Sequence, residues 1–206
     1  MYYTAFRNGT TKPCIGLAVS SDEDGSFADN SGAPFVCQSP QTGGESIDAH
    51  AYTTPNGIRY LYWNSGGSLN FKIYVQQLSS DGRSLIGQAQ AILSSTENWE
   101  KPCCDPAYKG IVEAPFAFFR SETNKYYLFY SGNTFKNGSY AVGAAVGNSP
   151  AGPFTNSPAR FCAARTASPD PARTASRATA ATSRMCIITA GLSRTSGTRT
   201  AASGRL

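Results

Sequence analysis

The sequence has no apolar run long enough to cross a bilayer as a helix, and a membrane partner is not expected. Its first residues, Met-Tyr-Tyr-Thr-Ala-Phe, lack the basic n-region and cleavage site of a signal peptide, so the chain is expected to begin inside a domain. Sustained helical periodicity is also missing. The six cysteines show neither metal-ligand spacing nor a redox pair, so no metal and no cofactor is expected, and Cys103, Cys104, Cys162 and Cys186 read as free or mispaired thiols. Cys14 and Cys37 flank a loop that a disulfide could close, and Asn8-Gly-Thr and Asn137-Gly-Ser are glycosylation acceptors; both features lean toward a secreted relative.

Cations do not cluster. Up to Pro158 the chain carries ten Lys and Arg against twelve Asp and Glu, whereas beyond it there are eight and one. The net charge of +5 therefore comes from the tail, and a nucleic-acid partner is not expected of the slightly acidic body. The two parts differ in composition as well: residues 1–158 are rich in Tyr, Phe, Gly and Val, and residues 159–206 consist mainly of Ala, Arg, Ser and Thr with one aromatic, Phe161. A low-complexity basic tail of that kind is expected to be disordered.

What the body does contain is a repeat. Alternating apolar and polar stretches bounded by Gly, Pro, Asn and Asp predict an all-β fold. Segments 46–52, 59–63, 71–76 and 83–87 form four successive strands, and segments 111–119, 125–130, 139–146 and 152–155 repeat the plan at a displacement of roughly sixty-five residues, as propeller blades do. Segments 2–6, 14–20 and 25–27 match the second, third and fourth strands of the same plan. The innermost strand of each complete set carries one carboxylate in an otherwise apolar run, Asp48 in one and Glu113 in the other. Either acid alone is compatible with a turn cap or a salt bridge, but matching positions on neighbouring inner strands would aim both at one central hollow.

The strings Ser-Ile-Asp48-Ala-His, Val-Glu113-Ala-Pro, Tyr-Tyr-Leu-Phe-Tyr-Ser-Gly and Ala-Gly-Pro-Phe-Thr resemble successive blades of glycoside hydrolase family 43, over about three quarters of the chain. The resemblance implies a five-bladed β-propeller, present here as about three blades. It also implies inverting hydrolysis of α-L-arabinofuranosyl or β-D-xylosyl linkages in plant cell-wall polysaccharides such as arabinan, arabinoxylan and xylan. Glu113 is then the general acid and Asp48 the acid that modulates its pKa. Glycoside hydrolysis needs one protonated carboxyl for the leaving oxygen. Val112 and the Ala114-Pro115-Phe116 run should desolvate Glu113 and raise its pKa, while Asp48, in a more polar stretch, should stay ionised.

His50 and Trp63 are candidate substrate contacts, the first as a polar partner and the second as a stacking wall, although a hydrogen-bonded strand histidine and a core tryptophan are ordinary alternatives. The family's general base lies on the first strand of its first blade, upstream of Met1, so this chain is expected to be inactive and to leave edge strands exposed. An extracellular location is implied for the intact relative. Read one base out of step, the codons of segments 169–176 and 185–191 permit further family-like strings, which makes residues 159–206 candidates for an out-of-frame product. Two other readings remain: a sugar-binding propeller without catalysis, and a fructan-acting furanosidase propeller, whose motifs are absent around these acids.

Overall fold

A computed structural model of the chain describes residues 1–6, 9–38, 44–67, 70–102 and 109–163. Asn8, the thiols of Cys103, Cys104 and Cys186, and the out-of-frame reading of the tail lie outside these residues. The described part is all-β apart from one short 3-10 turn, Asn98–Glu100.

Strands β1 (Tyr2–Phe6) and β2 (Pro13–Leu17) pair antiparallel. Next come β3 (Glu45–Thr53), β4 (Arg59–Gly67), β5 (Asn70–Leu78) and β6 (Leu85–Ser94), which form a four-stranded meander in chain order. A second meander follows from β7 (Val112–Arg120), β8 (Lys125–Gly132), β9 (Ala141–Gly147) and β10 (Phe154–Asn156). Its outer strand is interrupted and resumes as β11 (Cys162–Ala163), also paired to β9, so strand pairing runs on past Pro158. The described residues thus form part of a propeller, two complete blades and a piece of a third. The expected fourth strand at 25–27 is reduced to single bridges, Val19 to Ala28 and Ile15 to Val36.

The alternation of β4 explains how the blades stack. Tyr62 faces the layer between the two complete blades, with Ile73, Val75, Val112, Leu128 and Tyr130. Its neighbours Leu61 and Trp63 point the other way, into a layer with Ile15, Val36 and Leu78. A two-residue period on a strand buried on both faces gives two hydrophobic layers from one segment. Across the first layer Tyr62 Oη donates to the carbonyl of Pro150 at 2.6 Å. Cys14 and Cys37, which flank a loop that a disulfide could close, are joined by one, with Cα atoms 4.9 Å apart.

Between the blades, Glu100 is fully buried and its carboxylate accepts from four donors: the N–H groups of Thr96 and Glu97, Asn156 Nδ2 and Tyr130 Oη. Trp99 beside it lies flat against Gly132 and Gly143, where an added Cβ would come within 2.5 Å and 2.6 Å of the indole. Only glycine leaves room for that ring.

Removing the Glu100 carboxylate would strand buried donors on three segments. Glu100→Ala is expected to destabilise the fold by about 3 kcal/mol or more. Urea or thermal unfolding measures this, with Glu122→Ala, which removes an exposed pair with Arg120, leaving the midpoint in place.

Candidate active site

Asp48 and Glu113 stand on β3 and β7, the terminal strands of their two sheets. Each strand carries a bulge at this point. On β3 the register passes from Ile47 opposite Asn64 to His50 opposite Tyr62, and on β7 from Glu113 opposite Ser131 to Phe116 opposite Phe129. Two residues therefore face one, and the first of each pair takes a left-handed backbone: Asp48 at φ 58° and Ala114 at φ 50°. That conformation costs a residue with a Cβ roughly 1–2 kcal/mol. Proline at 115 suits the bulge, where no ladder donor is required.

The bulges correspond, but the acids do not occupy equivalent positions. Glu113 aligns with Ile47, just before the bulge, and Asp48 aligns with Ala114, inside it. This offset joins them. Asp48 Oδ2 accepts a hydrogen bond from the N–H of Ala114 at 3.1 Å, so the carboxylate of one inner strand holds the backbone immediately after Glu113 on the next. Neither acid is in a salt bridge; Arg120–Glu122 is the pair found among the described residues.

Glu113 is half-buried, and desolvation, with the nearby negative charges of Asp48 and Glu45, pushes its carboxyl up to about 7 against an opposing hydrogen bond from Tyr140. The protonated form needed for an acid is therefore present near neutral pH. Asp48 is also raised by desolvation, with the Ala114 N–H lowering it and Glu45 raising it, contrary to the expectation of an ordinary polar setting. Glu45 and Tyr140 were not visible as site residues in the sequence. Tyr140 Oη donates to Glu113 Oε1 at 2.7 Å from the segment just before β9. The acceptor triplet Asn137-Gly-Ser immediately precedes Tyr140, and Asn137 is exposed.

The other two candidates have different places. Trp63 is 0% exposed, stacked on Tyr74 with its indole N–H donating to Gln38 Oε1 at 2.8 Å, so it cannot be a sugar-stacking wall. His50 bridges the blades: Nε2 lies 3.2 Å from the carbonyl of Ala117 and so carries the proton, and burial lowers the ring's pKa. Its ring rests against Phe116, centroids 4.6 Å apart, and Phe116 is 50% exposed. Neither acid lines the hollow of about 320 Å³ edged by Tyr2, Tyr52 and Arg59 or the one of about 540 Å³ edged by Tyr3, Phe6 and Pro34. No group of three or more His, Cys, Asp and Glu suited to a metal ion occurs among the described residues.

The family model for glycosyl hydrolases family 43 matches residues 1–181. The chain belongs to that family. An extracellular endo-α-(1→5)-L-arabinanase of Thermotoga petrophila is 28% identical over 167 residues, covering 75% of this chain and 33% of that protein. A thermostable family-43 glycoside hydrolase of known structure is 28% identical, with a TM-score of 0.64 over 76% of this chain and 49% of that one. An endo-arabinase from Bacteroides thetaiotaomicron, 20% identical with a TM-score of 0.63 over 78% of this chain and 57% of that one, shares the fold. The chain spans about a third to just over half the length of these relatives.

Folding holds the proton on Glu113 over a range in which the unfolded chain, with an ordinary value of 4.5, would release it. The contribution of this residue to stability is therefore full below about 4.5 and falls as the pH climbs through about 7. Unfolding midpoints measured across that window should lose part of their pH dependence in Glu113→Gln; an unchanged profile would show that Glu113 titrates normally.

Proposed function

We propose that this family 43 chain carries the acid half of a glycosidase site, directed at α-L-arabinofuranosyl or β-D-xylosyl linkages of plant cell-wall polysaccharide, with arabinan the first substrate to try. The observation that supports the reading most is the half-buried Glu113, raised to about 7 beside the anion of Asp48, whose carboxylate also fixes the backbone of Ala114. Glu113 gives its proton to the leaving glycosidic oxygen as that oxygen parts from the anomeric carbon. Burial, together with the Asp48 anion, keeps Glu113 protonated until then. His50 supports the exposed Phe116 as one wall of the sugar site. The relative that suggests arabinan is an extracellular arabinanase, and the intact form of this protein is proposed to act outside the cell.

An inverting reaction also needs a base on the opposite face of the sugar to activate water. Among the described residues the carboxylates that raise Glu113 are Asp48 and Glu45, both on the neighbouring strand β3. Hydrolysis by the chain as it stands is therefore proposed to be absent. The same observation favours a second reading, a propeller that binds arabinose or xylose units without cleaving them. Calorimetry with arabino-oligosaccharides, followed by product analysis, separates the two once a first-blade strand bearing the base is added: hydrolysis then supports the enzyme, and tight binding without product supports the module.

In that extended chain Glu113→Gln should reduce cleavage of arabinan, a poor leaving group, by about 100-fold to 10,000-fold and cleavage of activated aryl glycosides much less. Equal losses on both substrates would remove Glu113 from the acid role.

A further inference from the structure

Tyr140 touches Glu113 without itself giving a proton to the leaving oxygen. Tyr140 Oη sits 2.7 Å from Glu113 Oε1 and comes from a different strand connection than either acid. Behind it stands Ser131, buried on β8, whose side chain acts on the Tyr140 phenol to lower its pKa. Ser131 is also the cross-strand partner of Glu113 and of Val142, so β7, β8 and the entrance to β9 bring the three side chains to one face. A phenol has one proton. Tyr140 gives that proton to the carboxyl, so the phenol oxygen is left as an acceptor for the Ser131 hydroxyl.

We propose that Tyr140, oriented by Ser131, is a positioning residue that fixes which oxygen of Glu113 delivers the proton. A protonated carboxyl has one accepting and one donating oxygen. Because Oε1 accepts from Tyr140, the acidic proton resides on Oε2, the oxygen free to face a glycosidic leaving group. After transfer the carboxylate keeps the Tyr140 hydrogen bond, which is now charge-assisted and stronger. Tyr140 therefore stabilises the product of proton transfer and makes Glu113 a better acid than burial alone would allow. Burial and the neighbouring Glu113 charge hold the phenol itself well above its ordinary range, so Tyr140 stays a neutral donor across the working pH. Among the described residues, the ionisable groups acting on Glu113 are Asp48 and Glu45 from β3, which raise it, and Tyr140, which lowers it. Tyr140 is the counterweight to the two acids.

The inference rests on the general-acid reading of Glu113, and a titration tests the two separately without any turnover. The full chain is labelled with ¹³C at glutamate carboxyls, and the Glu113 resonance is identified by its loss in Glu113→Gln. Tyr140→Phe, which removes the phenol oxygen and keeps the ring, should raise the Glu113 midpoint by about one to two pH units. Ser131→Ala, which leaves the phenol in place and takes away its orienting donor, should raise it by less; it also provides a readout if Tyr140→Phe does not fold. A midpoint that is elevated in the parent chain but unmoved or lowered in both variants overturns the role of Tyr140 while leaving Glu113 as the acid. An ordinary midpoint in the parent chain overturns the acid reading itself.

Discussion

A hydrogen bond between neighbouring inner strands holds this site together: Asp48 on β3 accepts the N–H of Ala114 on β7. Ala114 is in a left-handed conformation that its side chain disfavours, and the bond falls on the residue that directly follows Glu113 in the chain. A charge-assisted bond at that place offsets the strain and brings a negative charge close to the acid in the same step. One contact thus bears on both the position and the protonation of Glu113, although burial makes the largest contribution to the raised pKa. Were the two carboxylates in equivalent positions, Asp48 would align with Glu113 itself and not with the residue whose N–H it holds.

The contact needs the blades to be stacked without slippage, and the apolar layers provide this. Tyr62, Ile73 and Val75 of one blade interlock with Val112, Leu128 and Tyr130 of the next, and His50 adds a polar tie to Ala117 three residues beyond Ala114 on β7. At the outer side Glu100 draws the connection between blades onto β8 and β10 through Tyr130 and Asn156. The same side chain, Tyr130, belongs to the apolar layer and to the Glu100 network, so packing and polar satisfaction fix the same register.

Much of this was legible in the sequence because blade strands buried on one or two faces alternate cleanly. The starts of β3, β4, β5, β7 and β8 fall within about two residues of the segments read from periodicity alone. The second half of β6 was hidden because Gly87, at φ 72°, reads as a turn although it lies inside the strand. Bulges were hidden for a related reason: they shift the register by one residue without changing composition, so the offset between Asp48 and Glu113 looked like equivalence. Trp63 was misplaced because alternation tells which residues share a face but not which blade covers it. Tyr140 lies 27 residues from Glu113 in a polar connection, and only the meander brings it to the acid.

The account stands on Asp48 raising Glu113 while anchoring Ala114. Asp48→Asn keeps an oxygen to accept the Ala114 N–H and removes the charge, so the ¹³C titration midpoint of Glu113 should fall below about 7, while burial still holds it above the ordinary 4.5. A midpoint that stays where it was, or climbs, would contradict the coupling of the two acids.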